Sequence, residues 1–495
     1  MTVAVDGRDD FDLTSYERVT RGQEGVVIGP GARAAMEAAR ASFVALLDSD
    51  REQFIYGVTS GAGEGAMRRL APGEQLAAAR EVAERHRSAA SFGGGWLPDA
   101  AVRGIVFARL TNFVSGHAKA RPLVAERVAA LLDGPLPRVP LAGEVFAGEI
   151  VPLFRVMAPV EVADLEEGEP MALINGSPCS AALAAEVALA SKGRLAIAEG
   201  VFALSVEALG APLEAYDPAL AELWGDPYEA EALRSFEVLL RGAASSGRRP
   251  YQAPVSWRIL PRVLGQARRA VTSASEVATI ALRSVTDNPV YLFPDGDHPH
   301  GRAISTGGYH NASAYPAIDG VSGSWADLCA LAERHTMKLH DGSVSLLPHH
   351  LVAEAGPPGA DTHLLCMVQA GFGEEARHEA ARTFLPMSES GGFKGQNDVA
   401  SPTFLAYSRH LRVAWCLDAC LASLAVTASQ ALWVTGRHPA PPLVPLLASV
   451  RELVDPARGG RPRDLGAELE GLARAFDEAA TTGRGPFGGG VSGSH

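Results

Sequence analysis

Cysteine is scarce in this sequence and forms no recognisable pattern. The 495 residues contain only five cysteines, at scattered spacings, with neither a Cys-x-x-Cys pair nor a paired His/Cys ligand pattern. Disulfide frameworks and structural zinc sites depend on such spacings, so we expect neither of them and no metal ion. Cys416 and Cys420 lie four residues apart in an apolar helical pattern, which is typical of buried, inert thiols.

An excess of positive charge is also lacking. Lys and Arg number 44 against 57 Asp and Glu, which gives a net charge of -13, and no basic run is interleaved with aromatic residues. A nucleic-acid partner requires a positive surface. The composition therefore favours a small-molecule substrate over a nucleic acid.

No segment predicts export or membrane insertion. Residues 1–20 are acidic and lack both the positive region and the apolar region of a signal peptide. No apolar stretch is expected to reach the length of a membrane span. These features predict a cytoplasmic protein without a membrane partner.

The sequence is rich in helical periodicity. Hydrophobic residues make up 47% of the chain, and in long segments they recur at the three- and four-residue spacing of helices with a buried face. These segments are residues 80–90, 101–115, 123–132, 178–208, 265–285 and 399–434, with a break predicted near Lys192 and Gly193. The pattern predicts a mainly α protein with a long-helix bundle core and a small mixed N-terminal region, which opens with a strand and turn near Asp6 and Gly7.

Three regions are predicted along the chain. Residues 1–110 form the mixed region with a tyrosine-bearing lid loop, residues 111–440 the helical-bundle core, and residues 441–495 a C-terminal helical segment and tail. The loop from Tyr56 to Gly63 holds three glycines and two small hydroxyl residues in eight positions, a composition typical of loops. The tail from Gly483 onwards is rich in glycine and serine, which predicts disorder.

Six separate segments resemble the aromatic amino-acid lyases, the family of histidine and phenylalanine ammonia-lyases, and they follow that family's order. They are Tyr56-Gly57-Val58 with Gly61 and Gly63; His86; Leu173-Ile174-Asn175-Gly176-Ser177; Pro250-Tyr251 with Arg258 and Pro261; Asp287-Asn288-Pro289; and Gly307-Gly308-Tyr309-His310. Each segment alone is weak evidence, but six in one order are specific. The resemblance implies a mostly helical subunit and a homotetramer whose active sites gather residues from more than one subunit.

One segment departs from the family in a way that changes the chemistry. In these lyases an Ala-Ser-Gly tripeptide cyclises and dehydrates to a methylidene-imidazolone, an electrophile that makes a poor leaving group depart. The matching residues here are Phe146-Ala147-Gly148. Ala147 has no β-hydroxyl to lose, so the methylidene cannot form, and Phe146 would fill the space of the ring. We therefore expect no cofactor.

Loss of the electrophile limits the reactions that remain. A positioned acid or base contributes about 10²- to 10⁴-fold, whereas enzymes usually accelerate reactions by about 10⁶-fold or more. Acid–base chemistry alone is too little for loss of ammonia from an ordinary amino acid, so either the substrate brings a good leaving group or an acidified proton, or the reaction is different, or there is no reaction. Ergothionase, a relative without the prosthetic group, expels trimethylamine from a betaine of thiohistidine.

The resemblance assigns catalytic roles to two tyrosines. Tyr56 is the predicted general base or acid, because a phenol on a glycine-flanked lid can enter a closed site. Tyr251 could act as an acid toward the leaving group or pack against a neighbour, and the sequence leaves both readings open.

Five residues are predicted to bind the substrate. Arg258 would hold a carboxylate through a two-pronged hydrogen bond, although the interval before it is about four residues longer than the family pattern, so that Arg248 and Arg249 compete for this role. The other four would contact a polar group, a ring or an anionic group of the substrate: Asn175, His86, Tyr309 and Lys394.

The sequence thus predicts a carbon–nitrogen lyase that acts by acid–base elimination on a histidine-like or aromatic amino-acid-derived substrate. The substrate would supply the leaving group, for example a trimethylammonium. Two alternatives stay open: a cyclase or dehydratase acting on a biosynthetic intermediate, and a non-catalytic paralogue that binds a ligand. Retention of Tyr56, Asn175, Arg258 and Tyr309 without the serine favours an enzyme.

Overall fold

The structure is a computed structural model that describes residues 1–49, 53–85, 92, 95–141, 147–352, 362–387, 395–456 and 464–483. The chain divides into two compact units, each assembled from segments distant in sequence. The first comprises residues 1–187, 274–318 and 383–408, and the second comprises residues 188–273, 319–382 and 409–495. The three regions predicted from the sequence are consecutive stretches of the chain, so they are not the same kind of division as these two units, and they stay a prediction.

Helices dominate the described residues, which confirms the predicted mainly α fold class. In chain order, helices α1 to α18 are Leu13–Thr20, Pro30–Ser49, Pro72–Arg85, Asp99–Val114, Pro122–Ala130, Ile150–Met157, Glu169–Ile174, Pro178–Leu209, Leu220–Trp224, Pro227–Leu239, Val255–Arg258, Leu260–Arg283, Ala314–His340, Gly342–Ser345, Leu365–Glu379, Thr403–Thr435, Val444–Leu453 and Leu465–Thr482. The longest are α8 and α16, with 32 and 33 residues.

Two small sheets accompany these helices. Strand β1 (Thr2–Val5) pairs in parallel with β2 (Gly25–Ile28), and the register places Val3 opposite Val26. Strand β3 (Val290–Leu292) pairs antiparallel with β4 (Arg302–Ile304). The first sheet confirms the predicted strand at the start of a mixed N-terminal region.

Helix α4 forms the core of the first unit. Every residue from Ala101 to Val114 is buried, as expected for a helix that other elements surround. Tyr16 of α1 lies so close to Gly104 that an added Cβ would be 1.9 Å from the phenol oxygen. Glycine at position 104 therefore allows α1 to pack directly on α4.

The predicted break near Lys192 and Gly193 is wrong, because α8 continues from Pro178–Leu209 without interruption. Gly193 permits close packing instead, since an added Cβ would lie 2.9 Å from Cα of Ala480 in α18. The neighbouring Arg194 forms a 2.9 Å ion pair with Asp418 of α16 inside the second unit. Here glycine serves helix packing rather than a chain break.

The expectation that no apolar stretch reaches the length of a membrane span is also wrong. Two stretches, Glu169–Leu209 and Thr403–Thr435, are long and apolar enough by length and composition. Their most apolar windows are 94% and 83% buried inside the protein. A helix in a protein core can be as long and apolar as a membrane span, because a protein interior and a lipid bilayer both favour apolar residues. These stretches are therefore weak evidence for a membrane.

Helix α13 is absent from the sequence-based prediction. Ile318, Val321, Trp325 and Leu328 are fully buried at three- and four-residue spacing. Glycines and polar residues between them lower the intrinsic helix propensity, which hid the pattern. Tertiary packing of this apolar face stabilises the helix.

Candidate active site

The loop that carries Tyr56 is anchored in the core of the first unit by the residues beside it. Ile55 and Val58 are each 2% exposed and belong to one hydrophobic cluster with Phe43 of α2 and Tyr291 of β3. These two anchors hold the intervening tyrosine at a fixed place on the surface of the core.

Hydrogen bonds within the loop fix the tyrosine further. The carbonyl oxygen of Ile55 accepts hydrogen bonds from the N–H groups of residues 58–60 at 3.0 to 3.1 Å. The phenol oxygen of Tyr56 accepts one from the N–H of Gly63 at 3.0 Å. A phenol oxygen that accepts a hydrogen bond can still donate its own proton as a general acid, and the same hydrogen bond would stabilise the phenolate that acts as a general base.

Glycine at position 57 is required for two reasons. Its φ is +68°, a left-handed conformation that side chains disfavour. An added Cβ would also lie 2.5 Å from Cγ of Met171 in α7. Gly57 and Met171 line a small cleft together with Gly61, Leu70 and Ala79.

The Asn-Gly motif and the Asp-Asn-Pro motif lie in direct contact. Nδ2 of Asn175 donates to the carbonyl oxygen of Asn288 at 2.6 Å, and Oδ1 accepts from the N–H of Gly176 at 3.0 Å. The N–H of Ser177 donates to Oγ1 of Thr286 at 3.0 Å. The Asn175 side chain thus joins the two motifs rather than capping the helix that follows.

Arg109 links the same two motifs from α4. Nη1 donates to the carbonyl oxygen of Asn175 at 2.6 Å, and Nη2 donates to Oδ1 of Asp287 at 2.6 Å and to the carbonyl oxygen of Ala172. Arg109 is 0% exposed and Asp287 is 1% exposed. A buried ion pair with these additional acceptors is restricted to one geometry.

Lys119 supports the Asp-Asn-Pro motif from the opposite end. Its ammonium donates to the carbonyl oxygen of Pro289 at 2.9 Å, and its backbone has a φ of +53°. Burial lowers the pKa of Lys119 to about 8, while the nearby Asp287 carboxylate opposes that shift.

Tyr309 lies against the segment that matches the prosthetic-group tripeptide. Ala147 is 5% exposed, and a Cβ added at Gly148 would be 3.3 Å from Cδ2 of Tyr309. Nε2 of His310 lies 3.1 Å from the carbonyl oxygen of Ala400. The structure thus brings Tyr309 to Gly148, and the neighbouring histidine fixes the turn.

Glu149, directly after this segment, precedes α6 in the chain, and its buried carboxylate lies at the start of α8. It is 4% exposed and accepts the N–H groups of Cys179 and Ser180 at 2.5 and 2.8 Å. Burial raises the pKa of the Glu149 carboxyl to about 7, and hydrogen bonds from Ser180 and Cys179 oppose the shift.

Tyr251 and Arg258 belong to the second unit and are exposed to solvent in the single chain. Tyr251 is 75% exposed, and the exposed Arg258 donates from Nε to the carbonyl oxygen of Ala253 at 3.0 Å. Neither residue is enclosed by the second unit itself.

The two arginines that compete with Arg258 have structural partners. Arg248 forms an ion pair with Glu207 and donates to the carbonyl oxygen of Ala211 at 2.8 Å. Arg249 donates to the carbonyl oxygen of Val344. Arg248 is thus engaged in a structural ion pair, whereas Arg249, like Arg258, donates to a single backbone carbonyl oxygen.

Three predicted site residues, His86, Phe146 and Lys394, lie outside the described residues.

The sequence model of the aromatic amino acid lyase family matches residues 11–162 and 157–454. The chain belongs to the aromatic amino acid lyase family, and it is an enzyme of the ammonia-lyase superfamily. It is 28% identical over 433 residues to histidine ammonia-lyase of Rhodospirillum rubrum, a match that covers 80% of this chain and 81% of the relative. It is 29% identical over 379 residues to histidine ammonia-lyase of Sorangium cellulosum, covering 68% and 73% of the two chains.

Solved structures of other family members share the fold. Ergothionase from Treponema denticola, an ergothioneine-degrading enzyme, matches with a TM-score of 0.85 at 16% identity, over 97% of this chain and 99% of the other. Tyrosine aminomutase from Streptomyces globisporus matches with a TM-score of 0.84 at 22% identity, over 97% and 98%. At these identities the likeness concerns the fold alone.

The residues of this aromatic amino acid lyase do not fit the family's methylidene-imidazolone. The group needs a side-chain hydroxyl at its middle residue, and position 147 offers a buried methyl group instead. No step of the chemistry below passes through that group.

Sequence reasoning missed three residues that shape this region: Arg109, Lys119 and Glu149. Arg109 is one of two charges, with Arg103, within the apolar helical pattern of residues 101–115, which is a signal that could have found it, since buried charges are rare without a partner. Glu149 carried only the signal of its place directly after the Phe146-Ala147-Gly148 segment, and Lys119 carried none.

Proposed function

We propose that this enzyme is a carbon–nitrogen lyase that eliminates an amine without a methylidene-imidazolone. Its substrate is histidine-like or derived from an aromatic amino acid, and it carries its own good leaving group, such as a trimethylammonium. The fold shared with ergothionase is consistent with this proposal.

The observation that carries the proposal is an ordered site framework around an alanine. The Tyr56 loop is anchored in the core, Asn175 is bonded to Asn288, and Tyr309 lies beside Gly148. An ordered framework of this kind around an alanine favours a reaction that needs positioning and proton transfer only.

In the proposed elimination the substrate itself supplies the leaving group, so every proton and electron pair is accounted for. A base, for which Tyr56 is the candidate, takes the proton from the carbon β to the amine, and the C–H electron pair forms the new double bond. The C–N bond breaks, and its electron pair leaves on a neutral tertiary amine. A quaternary ammonium therefore needs neither an electrophile nor a proton donor to depart.

We further propose a cytoplasmic homotetramer in which a second subunit completes each site. The exposure of Tyr251 and Arg258 in the single chain supports this arrangement, because a carboxylate is held most strongly where water is excluded. Arg258 would bind the substrate carboxylate, and Tyr251 would lie near the leaving group.

The test compares substrates that differ only in the leaving group. The purified protein is incubated with Nα-trimethylated histidine, its 2-thio derivative and Nα-trimethylated tyrosine, and separately with the free amino acids. Released amine and the absorbance of the conjugated product are followed together. We expect trimethylamine from at least one betaine and no ammonia from the free amino acids. Comparable release of ammonia, or no product from any of these compounds, would overturn the proposal.

A further inference from the structure

Glu149 accounts for the free amides in the first turn of α8. The first N–H groups of a helix have no acceptor within it. Residue 178 is a proline without an N–H, and Ser177 donates to Thr286. The two remaining amides, of Cys179 and Ser180, both donate to the Glu149 carboxylate.

Glu149 and Ser180 connect the first turn of α8 to the starts of two other helices of the first unit. Glu149 itself precedes α6 as its N-cap residue. Ser180 in α8 donates from Oγ to Oγ1 of Thr403 at 3.0 Å, and Thr403, the first residue of α16, lies 3.2 Å from Oγ of Ser401. The N-terminal ends of helices favour negative charge, so the Glu149 carboxylate stabilises the start of α8, and Ser180 links that turn to the start of α16.

We propose that Glu149 is a positioning residue of the candidate site, which ties the Ala147–Gly148 segment to the first turn of α8 and so sets its place beside the Tyr309 ring. The Glu149 carboxylate and the amides of Cys179 and Ser180 together form what we call the ion–amide clamp. In this chain the clamp holds the segment that carries a cyclised ring in relatives. This positioning role of Glu149 deepens the proposed function. It rests on the proposed function only in those experiments that measure turnover.

The clamp depends on the ionisation of Glu149. An ionised carboxylate accepts both amides, whereas a protonated carboxyl turns one of its oxygens into a donor. Because burial raises the pKa of Glu149 to about 7, the clamp should be complete above that pH and weaken below it. Among the described residues, the titratable groups recorded beside this segment are Cys179, which hydrogen-bonds Glu149, and Tyr309, whose ring lies near Gly148.

The test measures hydrogen exchange of single amides by mass spectrometry, with Glu149→Gln as the variant. Glutamine keeps the shape of the side chain but presents one acceptor and one donor, so protection of at least one of the Cys179 and Ser180 amides should fall roughly tenfold. In the unmodified protein this protection, corrected for intrinsic exchange, should rise with pH through about 7, and in the variant it should not.

The control is Asp226→Asn. Asp226 accepts the N–H groups of Tyr228 and Glu229 at the start of α10, so it is a matched capping carboxylate in the second unit. Asp226→Asn should lower the protection of the Tyr228 and Glu229 amides from hydrogen exchange, and it should leave the protection of the Cys179 and Ser180 amides unchanged. Once a substrate is known, the dependence of kcat/KM on pH should lose its titration near pH 7 in Glu149→Gln and retain it in Asp226→Asn.

Equal protection in the unmodified protein and Glu149→Gln, or protection that is independent of pH in both, would overturn the proposal. If the variant does not fold, the pH dependence of the unmodified protein still decides. The exchange measurement needs no substrate, so it can succeed or fail independently of the proposed elimination.

Discussion

Nη2 of Arg109 and Oδ1 of Asp287 lie 2.6 Å apart, although the two residues are 178 positions apart in the chain. Both side chains are almost fully buried, at 0% and 2% exposure. Through this pair α4 fixes the Asp-Asn-Pro motif and, with it, the Asn175 side chain. The ion pair is therefore a structural basis of the candidate active site.

Arg109→Met should destabilise the protein strongly. Removing one partner leaves the Asp287 charge buried without compensation, which costs about 3 to 5 kcal/mol. Urea unfolding at a fixed protomer concentration measures the loss. The exposed Arg18, paired with Glu24 at 2.7 Å, provides the control, and Arg18→Met should change stability little. Similar losses in both variants would contradict the assigned role.

Gly57→Ala should disturb the Tyr56 loop. A φ of +68° strains an alanine by roughly 1 to 2 kcal/mol, and its Cβ would also clash with Met171. Gly65→Ala is the matched control in the same region, because nothing lies within 4 Å of its added Cβ. Thermal unfolding should separate the two variants, and adding Met171→Ala should recover only the steric part of the loss.

Tyr56→Phe and Arg258→Ala should affect turnover and binding differently. The first removes the proton carrier and should lower kcat by about two to four decades, with substrate affinity nearly intact. The second should weaken binding of a carboxylate substrate by roughly 2 to 4 kcal/mol. Equal rates for the unmodified protein and Tyr56→Phe at saturating substrate would exclude Tyr56 from catalysis.

The intact protein should have the mass of its translated sequence. A methylidene-imidazolone would reduce that mass by two water molecules, within residues 146–148, and would add near-ultraviolet absorbance. Ala147→Ser alone should not restore the group, because Phe146 would still obstruct cyclisation. The double change Phe146→Ala and Ala147→Ser is the fairer trial, and a chromophore in the single variant would show that the segment has more room.

His335→Phe should reduce the loss of stability at acid pH. The imidazole stacks on Trp257 with ring centroids 3.7 Å apart, and burial lowers the pKa of His335 to about 3. Between about pH 6.5 and pH 3 the unfolded chain binds a proton at His335, whereas the native state does not. The unfolding free energy therefore falls as the pH is lowered from about 6.5 toward 3. Between about pH 6 and pH 4 the variant's unfolding free energy should change less steeply, by up to roughly 1.4 kcal/mol per pH unit. Parallel slopes would count against a neutral buried imidazole.

Much of the fold was predictable because helix periodicity is local. The pattern at residues 101–115 corresponds to α4, and that at residues 399–434 to α16. The pattern misled where glycine had two meanings: Gly193 marks close helix packing rather than a break, and the glycines of α13 concealed a buried face. A glycine signal cannot tell these cases apart until the neighbouring element is known.

The family and the missing hydroxyl could be read from the sequence alone, since both depend on residue identities at fixed positions. How the candidate site is held could be seen only in the folded chain. Arg109 meets Asp287, and Glu149 meets the amides of Cys179 and Ser180. Such contacts join residues far apart in the chain, and their geometry depends on how the helices pack, which no local pattern records.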